Sequence, residues 1–224
     1  MADPALRLRD VAFAYPGAAW RIRVPSLELA PGEQALLVGG SGRGKSTLLQ
    51  VIAGLREAAG SVEVAGIRMS ALRGAARDEA RGKRVGMIFQ TFNLLHGFSA
   101  LENVLAALMF SAITPAEHEA RARGLLGTLG LGADLADAEV DRLSVGQQQR
   151  VAVARALAGR PALVLADEPT ASLDPENAAA AIALIQDACR ADGAALLCTS
   201  HDPSLRARFA RTESIDSYVE QVAA

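Results

Sequence analysis

The sequence contains no long apolar run and little cysteine. Its longest uncharged apolar runs, residues 104–110 and 178–185, are much shorter than the roughly 20 residues that a membrane-spanning helix needs. The two cysteines, Cys189 and Cys198, lack the spacing of metal ligands and are typical of a reduced, cytosolic protein. The chain does not open with a basic region followed by an apolar one, so we expect no secretory signal. These absences predict a cytoplasmic protein that does not cross a membrane by itself.

An excess of basic residues is also missing. The chain has 23 Lys and Arg against 25 Asp and Glu, so no basic surface indicates nucleic acid as a partner. A GTPase or a small-molecule kinase would need a guanine-reading element, N-K-x-D, or an acceptor site, and N-K-x-D does not occur in the chain. Internal repeats and low-complexity linkers are absent, and the length of 224 residues suits a single domain spanning residues 1–224.

The most informative feature that is present is a phosphate-binding loop. Residues 39–46 read GGSGRGKS, which fits the pattern G-x-x-x-x-G-K-[ST]. Residues 35–38 before it are typical of a short strand, and residues 47–53 after it are typical of a helix without a breaker. A glycine-rich turn could match the pattern by chance, but it would not need a strand before it and a helix after it. Backbone amides at such a strand-to-helix junction form a phosphate site. The chain is therefore predicted to bind a nucleoside triphosphate.

Each part of this loop has an expected contact with the nucleotide. Lys45 is predicted to bridge the β- and γ-phosphates, and the Ser46 hydroxyl is predicted to ligate Mg²⁺. The predicted nucleotide-binding residues of the loop are Gly39, Gly40, Ser41, Gly42, Arg43, Gly44, Lys45, Ser46 and Thr47.

Two acidic residues follow an apolar strand later in the chain. Residues 163–168 read LVLADE, and a buried strand of this kind delivers the carboxylates to the edge of a sheet. Taken alone, the two acids fit a cap on a strand-to-helix turn equally well. Together with the phosphate loop they predict a catalytic centre, in which Asp167 holds Mg²⁺ and Glu168 polarises the attacking water as general base.

A capped helix carries the third motif. Residues 143–150 read LSVGQQQR, and Ser144 with Gln147 three residues later is a capping-box pattern at a helix N-terminus. Capping explains these two residues but not Gly146 or the run of glutamines. The octapeptide resembles the LSGGQ signature of ATP-binding-cassette (ABC) ATPases.

The resemblance to ABC ATPases extends over nearly the whole chain. Tyr15 matches the aromatic residue that stacks on adenine, and Gln90 matches the glutamine of the Q-loop. Asp174 matches the D-loop, and His201 matches the switch histidine. Any one of these matches alone is weak, whereas seven motifs in the family's order are specific. The resemblance implies ATP and Mg²⁺ as ligands, with Glu168, His201 and Gln90 as catalytic residues and with Ser46, Gln90 and Asp167 at the metal.

The resemblance also implies a fold and an assembly. The fold is α/β, with a P-loop NTPase core, an N-terminal antiparallel β flank and a helical subdomain near residues 91–159. Two copies pack head to tail in an ATP-dependent homodimer, which drives a separate integral membrane permease from the cytoplasmic face of the cell membrane. The residues that would contact the partner copy's ATP are Ser144, Gly146, Gln147 and Asp174.

The hydrophobic pattern predicts where the elements lie. Thr114 is predicted to cap a helix that begins at Pro115. The predicted strands are residues 6–14, 22–29, 61–64, 85–89, 162–166 and 194–199, and the main predicted helices lie between residues 64 and 85, from about 101 to 130, up to about 158 and over 175–190.

Two positions depart from the family pattern. Val145 replaces the first glycine of the signature, so the backbone there is expected to have an ordinary, negative φ. Arg43 stands inside the phosphate loop where the family carries a small residue. The sequence leaves three possibilities open for its side chain: a phosphate contact, a solvent-facing position, or an obstruction to the partner copy.

A finer resemblance concerns the subfamily. Residues 85–95 and 98–104 are similar to ATPases that serve permeases of the lipoprotein-releasing and macrolide-efflux type. In the family this segment faces the permease, but the apolar residues Phe92, Leu94, Leu95 and Phe98 also suit a core position. The alternatives are an importer ATPase, for example for amino acids, and a soluble ABC ATPase that acts on DNA or ribosomes. The latter usually carries coiled-coil insertions, a zinc hook or a second cassette, none of which is visible, and the transported substrate is not encoded.

Overall fold

Two β-sheets and a set of helices make up the computed structural model, which describes residues 3–171, 173 and 175–221. The strands are β1 Leu6–Phe13, β2 Trp20–Leu29, β3 Gln34–Val38, β4 Ala59–Val64, β5 Ile67–Arg68, β6 Val85–Ile88, β7 Leu163–Asp167, β8 Ala195–Ser200, β9 Arg211–Ser214 and β10 Val219–Gln221. The helices are α1 Lys45–Ile52, α2 Gly74–Arg84, α3 Ala100–Leu108, α4 His118–Thr128, α5 Ala133–Ala136, α6 Val145–Leu157 and α7 Pro175–Asp192.

The first sheet is antiparallel and has the order β10-β2-β1-β4-β5. One of its faces is buried, as the alternation in β2 shows: Ile22 and Val24 are fully buried, while Arg21 and Arg23 are exposed. A period of two places alternate side chains on opposite faces of a strand, which is why this flank is readable from the sequence.

The second sheet is parallel and has the order β6-β7-β8-β3-β9. Every residue of β8 is buried, as expected for a strand that is covered on both faces. The two faces of the sheet belong to different cores. In β3, Leu36 and Val38 pack with the helices that follow β6, whereas Ala35 and Leu37 pack with α1 and the antiparallel sheet. The predicted α/β fold is confirmed.

The helices α3 to α6 lie between β6 and β7 in the chain and share one core with the parallel sheet. A separate subdomain near residues 91–159 stays a prediction. Within the residues that the structure describes, no helix is long and apolar enough to span a bilayer.

Most strand boundaries agree with the predicted ones to within two residues, but one predicted helix start is wrong. Residues Pro115–Glu117 form a 3-10 turn, and α4 begins at His118. The Thr114 hydroxyl donates to the Glu117 carboxylate at 2.5 Å and caps no backbone amide. The hydroxyl is therefore directed toward this carboxylate and not toward a backbone amide.

Candidate active site

The phosphate loop occupies the junction between β3 and α1, as predicted. Gly44 is the N-cap of α1 and has a φ of 94°, a conformation that favours glycine. At Gly39 a Cβ atom would lie 2.2 Å from the Cγ2 atom of Ile215, so no larger residue fits there. Glycine is thus required at key positions of the loop, which leads into α1, and the free backbone amides of a helix N-terminus form an anion site.

Lys45 lies at the centre of the site with only 4% of its surface exposed. Its Nζ atom donates to the carbonyl oxygens of Gly39 at 2.7 Å and Gly40 at 3.0 Å. The same nitrogen is 3.0 Å from Oε1 of Glu168, although the two residues lie far apart in the sequence. Its ammonium group is therefore held over the loop, next to the acid that follows β7.

Asp167 ends β7 beside the phosphate loop. Its Oδ1 atom accepts hydrogen bonds from the hydroxyls of Ser46 and Thr199, both at 3.0 Å. A serine hydroxyl next to a carboxylate is a pair of hard oxygen donors, which is the donor type that Mg²⁺ prefers when phosphates and water complete its shell. The residues present therefore fit a magnesium ion.

Glu168 lies between two cationic or polar partners. One carboxylate oxygen faces Lys45, and the other is 2.5 Å from Nδ1 of His201. Burial acts to raise the pKa of this carboxyl, but the hydrogen bonds and charges of Lys45 and His201 outweigh burial and hold the pKa below its usual value. The carboxylate is therefore ionised at neutral pH and able to accept a proton.

Gln90 and His201 lie at the same edge of the parallel sheet for the same reason. Both follow a parallel strand, and the carboxyl ends of parallel strands meet at one edge. In the register of β6 and β7, Ile88 pairs with Ala166, so Gln90 follows β6 close to where Asp167 ends β7. The Gln90 side chain is exposed.

Tyr15 lies beside the start of α1. Its hydroxyl is 3.3 Å from Oγ1 of Thr47, and its ring packs edge-to-face against Phe13 and Trp20. The guanidinium of Arg56 lies 4.8 Å from the centre of the ring. Nothing in the local sequence indicated Arg56, because the contact depends on how α1 packs against the antiparallel sheet.

The signature helix, α6, begins with the predicted capping box. The backbone amide of Gln147 donates to Ser144 Oγ at 3.3 Å, and the backbone amide of Ser144 donates to Gln147 Oε1 at 2.9 Å. Val145 is the first residue of α6 and has no positive φ, as expected for a β-branched residue. Ser144, Val145 and Gly146 are exposed.

The structure brings only part of the predicted site together. Among the described residues, no hydrogen bond or ion pair joins Ser144, Gly146 or Gln147 to the cluster around Lys45 and Glu168. The predicted D-loop residue Asp174 lies outside the described residues.

Arg43 turns away from the centre of the loop. Its Nε atom and one terminal nitrogen each lie 2.8 Å from Oδ1 of Asp216, in the 3-10 turn Ile215–Tyr218. Both side chains are about half exposed, at 54% and 51%. The sequence had no signal for this pair, because the two residues are 173 positions apart.

Comparison with known proteins gives consistent matches. The family profile described as ABC transporter matches residues 22–171. The lipoprotein-releasing system ATP-binding protein LolD of Novosphingobium aromaticivorans is 43% identical over 216 residues, which cover 94% of this chain and 96% of that protein. LolD 2 of Caulobacter vibrioides is 42% identical over 226 residues, which cover 98% of each chain.

A solved structure agrees with these matches. A dimeric ATP-binding cassette bound to ADP and phosphate, in a post-hydrolysis state, is similar with a TM-score of 0.78 and 31% identity, covering 98% of this chain and 99% of that one. The predicted family, the fold and the resemblance to the lipoprotein-releasing subfamily are therefore confirmed. The chain belongs to the ABC transporter family and is one of its ATP-hydrolysing, ATP-binding cassettes.

Proposed function

We propose that the chain is the ATPase subunit of a lipoprotein-releasing transporter, and that it works as an ATP-bound homodimer on a separate membrane permease. The observation that carries this proposal is the similarity to two LolD proteins over nearly the full length of each chain. The cluster of Lys45, Asp167, Glu168 and His201 supplies the chemistry that such a subunit needs.

The nucleotide is held along the loop and the start of α1. In this proposal Tyr15 stacks on the adenine, which its position next to Thr47 allows. The loop amides bind the phosphates, and Lys45 exchanges its present partners for phosphate oxygens. The remaining loop contacts come from Gly39, Gly40, Ser41, Gly42, Gly44, Ser46 and Thr47, whereas Arg43 is paired with Asp216.

Three residues are proposed to hold Mg²⁺: Ser46, Asp167 and Gln90. Bound there, the ion would neutralise charge on the β- and γ-phosphate oxygens. Ser46 and Asp167 already contact each other through their oxygen atoms at 3.0 Å, so a small shift opens a site between them. Gln90 adds an amide oxygen from the neighbouring strand end.

Hydrolysis is assigned to Glu168 and His201. When phosphate takes over Lys45, one oxygen of the Glu168 carboxylate becomes free to accept the proton of an attacking water. His201, which is 2.5 Å from the other oxygen, holds the carboxylate and is proposed to contact the γ-phosphate. In this proposal, phosphate replaces Glu168 as the partner of the Lys45 ammonium group.

The exposed end of α6 supports the head-to-tail dimer. Ser144, Gly146 and Gln147 lie outside the site of their own chain, yet a helix N-terminus favours an anion. In the dimer these residues, together with Asp174, would contact the ATP bound by the partner copy. Each composite site then needs two chains, which makes closure dependent on ATP.

An apolar surface supports docking of a permease on the cytoplasmic side. Phe98 is 49% exposed, Met109 is 75% exposed and Phe110 is 69% exposed. Phe110 lines a groove between α2, β6 and α6, together with Phe89. The sequence left open whether four apolar residues near Gln90 lie in the core. Leu94 is buried and Phe92 packs partly against the core, so a core position is confirmed for these two. Leu95 and Phe98 are exposed, so it is wrong for them.

A charged side chain in this groove should weaken permease binding without weakening ATP binding. We expect Phe110→Glu to lose most binding to the permease in detergent or nanodiscs while its affinity for ATP stays within about twofold, since the groove is distinct from the phosphate loop. Leu55→Glu is the matched control, because Leu55 is an exposed apolar residue outside the groove lining. Equal loss of permease binding in both variants would contradict docking at this groove.

Transport by the reconstituted complex tests the substrate class. We expect vesicles that contain the chain and its permease to release a membrane-anchored lipoprotein to a soluble acceptor only when ATP is present. ATP-dependent accumulation of a small solute, without lipoprotein release, would instead establish the importer alternative.

The pair of Arg43 and Asp216 predicts two opposite effects on ATP affinity. Arg43→Ser leaves the Asp216 carboxylate unneutralised near the loop, so we expect ATP affinity to fall by about fivefold, roughly the effect of one partly screened charge. Asp216→Asn frees the guanidinium and should raise affinity by a similar factor. Titration with a fluorescent ATP analogue measures both, and the double variant should return near the wild-type value. If neither single variant changed ATP affinity, the pair would lie too far from the phosphates to influence their binding.

A further inference from the structure

The backbone at Glu168 has an unfavourable conformation. Its φ is 44°, which is uncommon for a residue other than glycine. The next residue is Pro169, and a following proline restricts the backbone further, toward extended conformations. Such conformations persist only where the surrounding structure holds them. The residue proposed as general base is therefore kept in place by something other than its own preference.

Two buried side chains hold this segment from both sides. The Glu168 amide donates to Oγ1 of Thr199 at 3.0 Å, and Nε2 of Gln149 donates to the Pro169 carbonyl oxygen at 3.0 Å. Gln149 is 4% exposed and Thr199 is fully buried. Pro169 begins a turn that is closed by the Ala171 amide, which donates to the Glu168 carbonyl at 3.1 Å. The turn after Glu168 is thus anchored on α6 through one glutamine.

The three glutamines of the signature helix have different tasks. Gln147 completes the capping box, and Gln148 donates to the carbonyl oxygens of Val140 and Leu143, on the segment before the helix. Gln149 alone among them is directed into the interior, on a helix whose other buried residues are apolar. Burying an amide is unfavourable unless its hydrogen bonds are made, so its place requires the bond to Pro169.

We propose that Gln149 is a positioning residue for the Glu168 carboxylate. Its hydrogen bond to the Pro169 carbonyl keeps the turn in the orientation that directs Glu168 toward Lys45 and the γ-phosphate. The proposal rests on the proposed role of Glu168 as general base. Without this bond the Glu168 backbone relaxes toward negative φ, and the carboxylate moves away from the line of attack. Thr199 contributes from the other side, but it also binds Asp167, so Gln149 gives the cleaner test.

The first experiment compares Gln149→Met with wild type by steady-state ATP hydrolysis, which gives kcat, and by a titration that gives ATP affinity. Methionine has a similar length and flexibility but no amide donor, so the packing is largely kept. We expect kcat to fall by about 10²-fold, the loss that a displacement of roughly 1 Å at a reacting group produces. ATP affinity should stay within about twofold, because Gln149 does not belong to the phosphate loop. Loss of ATP binding in parallel with kcat would overturn the positioning role.

A double-mutant cycle separates positioning from a general structural effect. If Gln149 acts through Glu168, Gln149→Met should cause less than about a twofold further loss in a Glu168→Gln background. The matched control is Gln148→Met, because Gln148 is hydrogen-bonded to a different segment. Its effect on kcat should be the same in both backgrounds. An equal loss from Gln149→Met in both backgrounds would contradict the proposal.

A second variant covers the case in which Gln149→Met does not fold. In Gln149→Glu, a protonated carboxyl can donate to the Pro169 carbonyl, whereas an ionised one repels it, and burial raises the pKa of such a group. We expect its kcat relative to wild type to rise as the pH falls from 8 to 6. A ratio that does not change with pH would overturn the proposal. If Glu168→Gln alone hydrolysed ATP at the wild-type rate, Glu168 would not be the general base. That result would contradict the proposed function and not the bond between Gln149 and Pro169 itself.

Discussion

Glu168→Gln should bind ATP and lose nearly all hydrolysis, and the variant should accumulate as a closed dimer. The amide keeps the shape of the carboxylate but cannot accept a proton from water, and general-base catalysis typically contributes 10²–10⁴-fold. We therefore expect kcat to fall by at least about 10²-fold. In the presence of ATP and Mg²⁺, size-exclusion chromatography should show a stable dimer.

The structure adds an expectation about ATP affinity. The Glu168 carboxylate is 3.0 Å from Lys45 Nζ, so it competes with phosphate for the ammonium group. Removing its charge removes that competitor, and ATP should bind as tightly as in wild type or more tightly. Asp187→Asn, at an exposed acid paired with Arg190, is the matched control and should hydrolyse ATP normally. Hydrolysis at the wild-type rate in Glu168→Gln would exclude Glu168 as the base.

Ser144→Arg should abolish turnover while the ATP affinity of the monomer stays nearly intact. The N-terminus of α6 is exposed, and we propose that it contacts the ATP bound by the partner copy. A bulky cation there blocks the approach of the partner's phosphates, and losing one such contact costs about 10²-fold or more in kcat.

Loss of a helix cap has to be separated from loss of the phosphate contact. Removing an N-cap serine costs about 1 kcal/mol of stability wherever it occurs. Ser99 is the N-cap of α3 and forms a capping box with Glu102, so Ser99→Arg loses an equivalent cap at a helix with no proposed nucleotide contact. We expect Ser99→Arg to retain turnover in solution.

Mixing Ser144→Arg with Lys45→Ala gives the sharper result. Each hybrid dimer contains one site with both lesions and one intact site, so activity should return to about a quarter of wild type for random pairing of independent sites. No recovery would argue that both sites must be intact. If the monomer of Ser144→Arg loses as much ATP affinity as Lys45→Ala, the serine acts within its own chain and the head-to-tail arrangement is wrong.

Local features of the site were readable from the sequence. The phosphate loop, the capping box of Ser144 and Gln147 and the acids after β7 all depend on residues within one strand, turn or helix. Their spacing alone determines which backbone amides and side chains are presented together. Glycine is favoured at Gly44 by its φ of 94°, which is a local property, whereas Gly39 is required by the close approach of Ile215, which is distant in the sequence.

Features that depend on distant contacts were not readable. The salt bridge from Lys45 to Glu168 and the bond from Gln149 to the Pro169 carbonyl join different elements. Arg43 pairs with a residue 173 positions away, which none of the three possibilities left by the sequence specified. The same holds for the exposure of Phe98, which its apolar character did not predict.

The sequence by itself therefore determined that this protein has a phosphate loop, two acids after a buried strand and a capped signature helix, and hence its family. Only the tertiary structure decided how these parts meet. The order β6-β7-β8-β3-β9 brings the ends of β3, β7 and β8 to one edge, where Glu168 contacts both Lys45 and His201. Strand order follows from the packing of both faces of the sheet, and no local pattern of residues encodes it.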